Sequence, residues 1–368
     1  MASQGPSPSL SIVVPTLEEI ETLPGLLSGL ASQRDVGFEL IVCDGGSSDG
    51  SRAWLSRQGA ASPFPVTLLE TSAGRARQMN AGAAAASADH LLFLHADSTF
   101  SDPLALSRGL SALRAAAAGS GHHRVAGHFA LRFDLEERER TAAYHFFEAK
   151  ARSGRPDTIH GDQGFLLPAE LFREVGPFDE NLGIFEDDRF ADRVRQVGRW
   201  ELLPAEIRTS ARRFRAEGLL ARQVLNALLV NFAAIGWTEF FARAPEIYRR
   251  QDRSEPLDLT PFFNLVEELL GRLPKGERRR LWRRTGRFVR SQGWQLGLAL
   301  DSRRNFLAGL EPGAGPTPWL NRFDRWYDRL TRNLPGELAC GLLVRTWFLA
   351  TRHRLIRRSR HTRLGRSL

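Results

Sequence analysis

Polar residues follow three short apolar segments in the first hundred residues, and their types could bind a ligand. The segment Leu10–Val14 is followed by the sequence PTLEE, Phe38–Cys43 by DGGSSDG and His90–Leu94 by HAD. Carboxylates such as Asp44 and Asp97 can accept hydrogen bonds or coordinate a hard cation. A single acidic residue more often caps a helix or lies in a solvated loop, but three polar segments at one edge would form a cleft.

These three segments and a fourth, Val66–Leu69, predict the strands of a parallel sheet. Each is continuously apolar, as in strands buried on both faces, and each is followed by a helix-like stretch. Alternating strands and helices favour a doubly wound α/β fold, in which ligands bind at the carboxyl ends of the strands. In the common 3-2-1-4 strand order, the three polar segments line a groove about 10 Å wide, which suits a nucleotide diphosphate and its metal ion.

Helix signals follow the first and third strands. Thr16 and Glu19 have the spacing of a capping box for the first helix, and the alanine-rich stretch Gly74–Ala88 predicts the third. Later segments predict a strand at Val125–Phe133, a strand or loop at Gly161–Leu167, and helices at Glu136–Ala151, Glu186–Val197 and Gly218–Ile235. The sequence SEPLDLTP predicts a linker. We therefore expect a domain at 1–250, a linker at 251–260 and an α-helical domain at 261–368.

Composition narrows the classes of protein. A chain of 368 residues is long enough for two domains, and 42% hydrophobic with 25% charged residues is usual for a folded protein. Cys43 and Cys340 are the only cysteines, which excludes a disulfide framework and indicates a reducing compartment. The first ten residues lack the features of a signal peptide, and no apolar run reaches the roughly 18 residues of a membrane span. These features predict a cytoplasmic protein.

Charge is divided unevenly along the chain. Residues 272–368 contain 23 Lys and Arg against 6 Asp and Glu, whereas residues 1–271 contain 28 against 36. A basic region of this kind predicts an anionic partner. Arginine mixed with Trp347, Phe348 and Leu349 suits peripheral contact with the inner face of an anionic membrane, and a plain helical domain fits equally well. Nucleic acid is the least favoured partner, because no nucleic-acid fold signature accompanies the arginines.

The motifs resemble those of the family-2 glycosyltransferases of the GT-A fold, whose Rossmann-like sheet is mixed, mainly parallel and flanked by helices. The resemblance covers about residues 10–250 and is strongest to a bacterial subgroup encoded beside radical-SAM and selenodomain proteins. It is carried, in order, by the segments SIVVPTLEE, VCDGGSSDGS, AGRARQMNAGAAAA, LLFLHADS, GDQGFLLPAELFREVGPFDE and FEDDRFADRVRQVGRW. It implies inverting, metal-assisted transfer of a sugar from a nucleotide-sugar donor, UDP-linked, to an unknown hydroxyl acceptor.

The resemblance implies a donor site at the strand ends. Thr16 and Glu19 would hold the base and ribose, and Asp44 would accept the imide N–H of a uracil-like base, since a carboxylate only accepts. Pro15 and Ala96 would line the same site. The alternative role of Glu19 is that of capping-box partner of Thr16. The alternative role of Asp49 is that of a cap for the second helix.

Arg75 and Gln78 lie on one face at the start of the third predicted helix, where anions are favoured, and they are expected to contact the donor. A solvated basic face is the alternative. Asp97 is the implied metal ligand; the family usually has a second aspartate where this chain has His95. Asp97 alone could hold Mg²⁺ or Mn²⁺ with phosphate oxygens and waters, and coordination by His95 as well would favour Mn²⁺.

The implied catalytic base is Asp187, with neighbouring Asp188 as the alternative; acids at the start of a helix also suit its dipole. Residues expected near the acceptor or the diphosphate are Asp162, Glu186, Arg212 and Arg213. A lipid-linked acceptor is favoured if the basic region binds a membrane. A non-catalytic nucleotide-sugar-binding or scaffolding protein is the alternative function, motivated by His95 in place of an acid and by the basic region.

Overall fold

The computed structural model describes residues 8–249, 251 and 256–365. The chain divides into two units, the first ending at Ser210 and the second beginning at Ala211. This boundary precedes the predicted linker at 251–260, of which residues 252–255 lie outside the described ones. The division differs from the expected one because helices within 219–249 share an apolar core with the helices that follow them.

The first unit is built on one sheet. Its strands are β1 (Leu10–Thr16), β2 (Phe38–Asp44), β3 (Val66–Glu70), β4 (His90–Phe93), β5 (Val125–Asp134), β6 (Phe165–Pro168) and β7 (Arg199–Ser210). Among the described residues the sheet has the order β3-β2-β1-β4-β6-β5-β7, with β6 antiparallel to both of its neighbours and the other pairs parallel. The predicted 3-2-1-4 order and the mainly parallel mixed sheet are confirmed.

Helices flank this sheet as the GT-A class predicts. They are α1 (Leu23–Ala31), α2 (Ser51–Gly59), α3 (Arg75–Ala85), α4 (Ala105–Ser120), α5 (Ala142–Ala151), α6 (Ala169–Val175) and α7 (Glu186–Val197). Short 3-10 turns lie at Glu137–Glu139 and Gly161–Gln163. Side chains of β1, β2, β4, β6 and α7 form one core on one face of the sheet, including Val13, Ile41, Phe93, Phe165 and Phe190.

Two details of the first unit depart from the sequence analysis. The predicted capping box of Thr16 and Glu19 is wrong: Thr16 is the last residue of β1, and α1 begins seven residues later, after Thr22. The alternative role of Asp49 is found, because its carboxylate accepts the Ser51 amide at the start of α2, at 3.0 Å. Strand β7 was not predicted, because Pro204 interrupts it and its apolar residues alternate with polar ones at the edge of the sheet.

The antiparallel direction of β6 determines which loop reaches the site. Phe165, at the start of β6, is the register partner of Phe93, at the end of β4. The loop that precedes β6 therefore lies at the same edge as the loops that follow β1, β2 and β4. The segment predicted as strand or loop, Gly161–Leu167, contains both the loop and most of the strand.

The second unit is helical, as predicted for the C-terminal region. Its helices are α8 (Arg212–Glu217), α9 (Leu219–Ala234), α10 (Thr238–Phe241), α11 (Ala244–Arg249), α12 (Thr260–Arg272), α13 (Lys275–Ser291), α14 (Trp294–Leu307), α15 (Pro318–Arg322), α16 (Asp328–Thr331) and α17 (Leu334–Gly365). A π-helical turn, Phe323–Tyr327, joins α15 to α16. Within the described part of the chain, none of the helices has the length and apolar character needed to cross a membrane.

Helix α3 packs against the sheet without space for a side chain at Gly82. A Cβ atom there would lie 2.3 Å from Val13 Cγ1 and 2.8 Å from Cys43 Sγ. This close approach fixes α3 over the ends of β1 and β2.

We expect Gly82→Ala to lower the free energy of unfolding by about 1–3 kcal/mol, because the added methyl group overpacks the core. Urea denaturation followed by circular dichroism measures this change. Gly119→Ala on α4 is the matched control, since a Cβ at Gly119 would meet no atom within 4 Å. Equal stability of the two variants would contradict the close packing of α3.

Candidate active site at the strand ends

Three neighbouring strands end at the candidate site. Thr16 at the end of β1 is the register partner of Asp44 at the end of β2. On the other side of β1, the Leu94 amide just beyond β4 donates to the Val13 carbonyl at 3.0 Å. The three polar segments of the sequence analysis therefore meet at one edge of the sheet.

The Asp44 carboxylate is buried and organises the loop that follows β2. Its Oδ1 accepts the Gly46 and Ser47 amides at 3.0 and 2.9 Å, and Arg52 Nε lies 3.9 Å from the same oxygen. Its Oδ2 lies 3.4 Å from Thr16 Oγ1. Oδ2 is therefore the oxygen suited to the predicted contact with a base.

Gln78 joins the ends of β1 and β2. Its side chain is buried, and its Nε2 donates to the Thr16 and Cys43 carbonyls at 2.7 Å each. Gln78 is predicted to contact the donor directly, but in the structure its side-chain amide donates to two backbone carbonyls. Gln78 thus supports the site from behind the strand ends.

A second link joins the loops themselves through Glu18, which the sequence analysis does not single out. Glu18 Oε1 accepts the Ser48 amide at 2.7 Å, and the Glu18 amide donates to Ser47 Oγ at 2.9 Å. Asp49 adds to this link by accepting the Ile20 amide at 2.9 Å. Glu18 has a φ of 58°, a strained backbone conformation that is common at functional sites. No local pattern distinguishes Glu18 from Glu19 in the sequence.

Gly161 brings His95 and the predicted base together. A Cβ atom on Gly161 would lie 2.9 Å from His95 Nε2 and 3.0 Å from Asp187 Oδ2. The Gly161 amide donates to that same Asp187 oxygen at 2.7 Å. Only glycine fits here without displacing one of the two side chains.

A pocket opens beside this contact. Arg75, His95 and Asp187 form its polar side, and its apolar floor consists of Met79, Phe93, Leu94, Phe165 and Phe178. The Arg75 side chain is 46% exposed, so its guanidinium is accessible to a bound anion.

The charges around Asp187 keep it ionised. Burial alone would raise the pKa of Asp187, but His160, Arg75 and the Gly161 amide outweigh burial and lower the pKa below 3.8. Buried Glu186 lies beside it, with Oε1 3.3 Å from Arg75 NH1, and burial raises the pKa of Glu186 despite that pair. A general base must be deprotonated at the working pH, and Asp187 meets this requirement.

His160 forms a short contact through Nδ1 with Asp188 Oδ1. Burial would lower the pKa of His160, but the charge of Asp188, helped by Asp162 and Asp187, raises it to about 9. The neighbouring residues His160 and Gly161 therefore bind Asp188 and Asp187, respectively, at the start of α7. No local pattern in the sequence points to His160, because its partner Asp188 lies 28 residues away and only the fold brings the two together.

Asp162 supplies a second carboxylate near Asp97. Burial raises the pKa of Asp162 to about 6; His160 opposes this, while the charges of Asp187 and Asp97 add to it. Asp162 Oδ1 is buried and has no hydrogen-bond partner. Across the residues that the structure describes, no three His, Cys, Asp or Glu side chains are grouped so as to hold a metal by themselves. Two interacting carboxylates, one with an unpartnered oxygen, still fit a hard cation whose remaining ligands are phosphate oxygens and waters.

The remaining predicted residues are spread over both units. Pro15 is in β1 next to Thr16, and Ala96 is buried between His95 and Asp97. Glu19 Oε2 accepts the Thr22 hydroxyl at 2.9 Å. The last two, Arg212 and Arg213, open α8 in the second unit, and their contact with a diphosphate stays a prediction.

A mainly parallel sheet whose strand ends carry carboxylates, beside an exposed arginine at a helix start, defines an α/β domain suited to a phosphorylated ligand. Residues 11–175 match the family model described as glycosyl transferase family 2. This part of the first unit is thus similar to glycosyl transferase family 2 domains.

The chain is also similar to proteins named as glycosyltransferases. It is 29% identical over 197 residues to an uncharacterized glycosyltransferase of Mycobacterium tuberculosis, covering 52% of this chain and 70% of the relative. It is 38% identical over 93 residues to an uncharacterized glycosyltransferase of Haemophilus influenzae, covering 25% of this chain and 30% of the relative. The domain and these relatives support a glycosyltransferase, while the radical-SAM-associated subgroup stays a prediction.

Solved structures resemble the chain more weakly. The mannosyltransferase PcManGT from Pyrobaculum calidifontis, in complex with GDP-Man and Mn²⁺, has 17% identity and a TM-score of 0.46, covering 92% of this chain and 87% of its own. Staphylococcus aureus TarS 1-349 in complex with UDP has 17% identity and a TM-score of 0.45, covering 82% and 92%. Likeness at this level does not carry those ligands over to this chain.

Replacing Asp188 should remove a pH-dependent contribution to stability. The pKa of His160 is about 9 in the fold and 6.5 ordinarily, so the pair stabilises the fold fully below pH 6.5 and loses this effect as the pH rises through 9. Because 36% of the His160 side chain is exposed, solvent screening limits the contribution to about 1 kcal/mol.

We expect Asp188→Asn to be less stable than wild type below pH 6.5, with the gap narrowing as the pH rises from 6.5 and closing above about 9. Urea denaturation across this pH range measures the gap. Asp192→Asn, on the same helix, controls for loss of a carboxylate. A gap independent of pH would show that His160 is not held as a cation by Asp188.

Proposed function

We propose that this chain is an inverting, metal-assisted glycosyltransferase that moves a sugar from a UDP-linked donor to a hydroxyl acceptor. The observation that carries the proposal is the pocket in which ionised Asp187 meets Arg75 and His95 beside the strand ends. The family 2 domain and the names of the relatives support the same class of reaction.

Asp187 is the proposed base. As the acceptor oxygen attacks the anomeric carbon, Asp187 accepts the hydroxyl proton. The new carbon–oxygen bond forms while the bond from the anomeric carbon to the diphosphate breaks, and the nucleoside diphosphate leaves with the bonding electrons. A single displacement of this kind inverts the anomeric configuration. The Gly161 amide, 2.7 Å from Asp187 Oδ2, fixes the orientation of the carboxylate.

The diphosphate requires positive charge as it departs. Arg75 lies in the pocket with an exposed guanidinium, which can bind phosphate oxygens by a forked contact. Arg212 and Arg213 are the further residues proposed for the diphosphate or the acceptor. Glu186 orients Arg75 through their ion pair.

Asp97 and Asp162 are the residues proposed to hold Mg²⁺ or Mn²⁺. Bound there, the ion would neutralise charge on the diphosphate. The unpartnered Asp162 oxygen supports this assignment. His95 stays a candidate ligand that would favour Mn²⁺, but its Nε2 faces Gly161 and Asp187, so the carboxylates are the better candidates.

The nucleoside half of the donor is proposed to lie over the ends of β1 and β2. Asp44 Oδ2 would accept the imide N–H of uracil, because its other oxygen already accepts two amides. The other residues proposed to line this part of the site are Pro15, Thr16, Glu19 and Ala96.

The acceptor is proposed to be a hydroxyl compound, lipid-linked if the basic region binds a membrane, and the proposed location is the cytoplasm, with peripheral contact at the inner face of the membrane in that case. Both cysteines are unpaired, which suits a reducing compartment. A non-catalytic nucleotide-sugar-binding protein would share the donor residues but would not depend on Asp187 for turnover.

Asp187→Asn should lower donor turnover, measured as hydrolysis or transfer, by about 10²- to 10⁴-fold, because an amide cannot accept the proton. Donor affinity should stay close to that of wild type. Asp192→Asn, on the same helix, is the matched control and should retain activity. Equal turnover by Asp187→Asn and wild type would remove Asp187 from the mechanism, and donor binding without turnover by any variant would favour the non-catalytic alternative.

A second prediction concerns metal and donor binding. A bound donor at a hundredfold excess over its Kd should raise the free energy of unfolding by about 2.7 kcal/mol. We expect a UDP-sugar to raise the melting temperature, and Mn²⁺ or Mg²⁺ to enlarge the shift.

Asp97→Asn should remove the metal-dependent part of this shift. Asp89→Asn is the control, because Asp89 is exposed and precedes β4 at the opposite end of the strand from the site. A metal-dependent shift that survives in Asp97→Asn would show that the ion binds elsewhere.

A further inference from the structure

Helix α17 carries apolar side chains both on its packed face and at exposed positions along its first half. On the inner face, the buried Phe348 ring stacks on Phe263 with centroids 5.1 Å apart. On the outer face, Leu338, Leu342 and Leu349 are 52%, 64% and 46% exposed. A helix that is apolar all round is normally covered on every side, so the outer face of α17 lacks the cover that its composition requires.

Further apolar residues of α17 are exposed. Leu334, Leu343 and Trp347 are 51%, 68% and 42% exposed, and the Trp347 ring also contacts Phe263, with centroids 5.9 Å apart. Between residues 338 and 350, Arg345 is the only charged side chain. Apolar residues scattered singly on a surface are ordinary, but a contiguous group of this size marks an interaction site.

The helix that packs against this part of α17 is basic. Helix α13 packs against α17 so closely that a Cβ on Gly286 would lie 2.6 Å from the Gly341 amide nitrogen. The Arg287 guanidinium pairs with Glu337, at the start of α17, at 2.8 Å. The exposed arginines of α13 are Arg278, Arg279, Arg280, Arg283, Arg284 and Arg287.

We propose that the outer face of α17, together with the arginine face of α13, binds the surface of an anionic lipid bilayer. The leucines and Trp347 enter the boundary between headgroups and acyl chains, and the arginines contact lipid phosphates. This interaction lies in the second unit and does not depend on the sugar-transfer reaction.

Charge complementarity favours an anionic bilayer over a second copy of the chain and over nucleic acid. A second copy of the chain on the same face would bring two arginine faces together and would be repelled. Nucleic acid would neutralise the arginines but would leave the exposed leucines in water. An anionic bilayer satisfies both parts of the surface.

The test is co-sedimentation of the full chain with phosphatidylcholine vesicles, with or without phosphatidylglycerol, in the absence of any donor. We expect binding to the anionic vesicles and at least tenfold weaker binding to the neutral ones. Leu338→Ser/Leu342→Ser should lose binding at least tenfold, whereas Leu220→Ser, which replaces a still more exposed leucine on α9, should not. Arg279→Gln/Arg280→Gln should weaken binding, whereas Arg34→Gln/Arg57→Gln, exposed positions of the first unit, should not.

Circular dichroism and the melting temperature establish that each variant is folded. Trp fluorescence should shift to shorter wavelength when anionic vesicles are added, and Trp347→Phe should reduce this shift. Absence of binding to anionic vesicles overturns the proposal. So does binding that is insensitive to the leucine pair, or self-association in sedimentation velocity that the leucine pair abolishes.

Discussion

The candidate site depends on the bridge that Gln78 makes between two strands. Its Nε2 donates to the carbonyls of Thr16 and Cys43 at the ends of β1 and β2. The Thr16 carbonyl also accepts the Gly45 amide, so the Gln78 bridge adds to the sheet hydrogen bonds and ties both strand ends to α3. Gly82 allows α3 to approach closely enough for the bridge to form. The positions of Asp44 and of the loops that it organises follow from this arrangement.

Electrostatics divides the carboxylates of the site into two kinds. His160 and Arg75 hold the pKa of Asp187 low, whereas burial and neighbouring carboxylates raise the pKa of Asp162 to about 6. Groups in one pocket whose environments separate their pKa values commonly have different chemical roles. The ionised Asp187 is suited to accept a proton. The negative charge of Asp162 is unfavourable by itself, and a bound cation would stabilise it.

Local sequence patterns predict the first half of the sheet well. β1 to β4 are continuously apolar and end in polar residues, so both their order and the convergence of Thr16, Asp44 and Asp97 can be inferred. Interactions between distant residues cannot be inferred in this way. The contact of His160 with Asp188, the link from Glu18 to Ser48 and the parallel pairing of β7 with β5 all join residues far apart in the chain.

Spacing also identifies which residues face inward without identifying what they contact. Gln78 is buried behind the strand ends, where its amide donates to two backbone carbonyls, and its contact with the donor stays a prediction. The spacing of Thr16 and Glu19 is that of a capping box, yet β1 continues through Thr16 and α1 starts after Thr22. The boundary between the units is displaced for a similar reason, since helices up to residue 249 find their apolar partners in the second unit.

The reversed direction of β6 brings together two stretches that are far apart along the gene. The proposed donor side in the first unit comes from residues before 100, whereas its proposed acceptor side comes from the loop before β6 and the start of α7, after residue 159. The two sides are joined by the pairing of β4 with β6 and by side-chain contacts such as Arg75 with Glu186. Under the proposed function, substitutions confined to the later stretch would change the acceptor side while every proposed donor residue before position 100 stays the same.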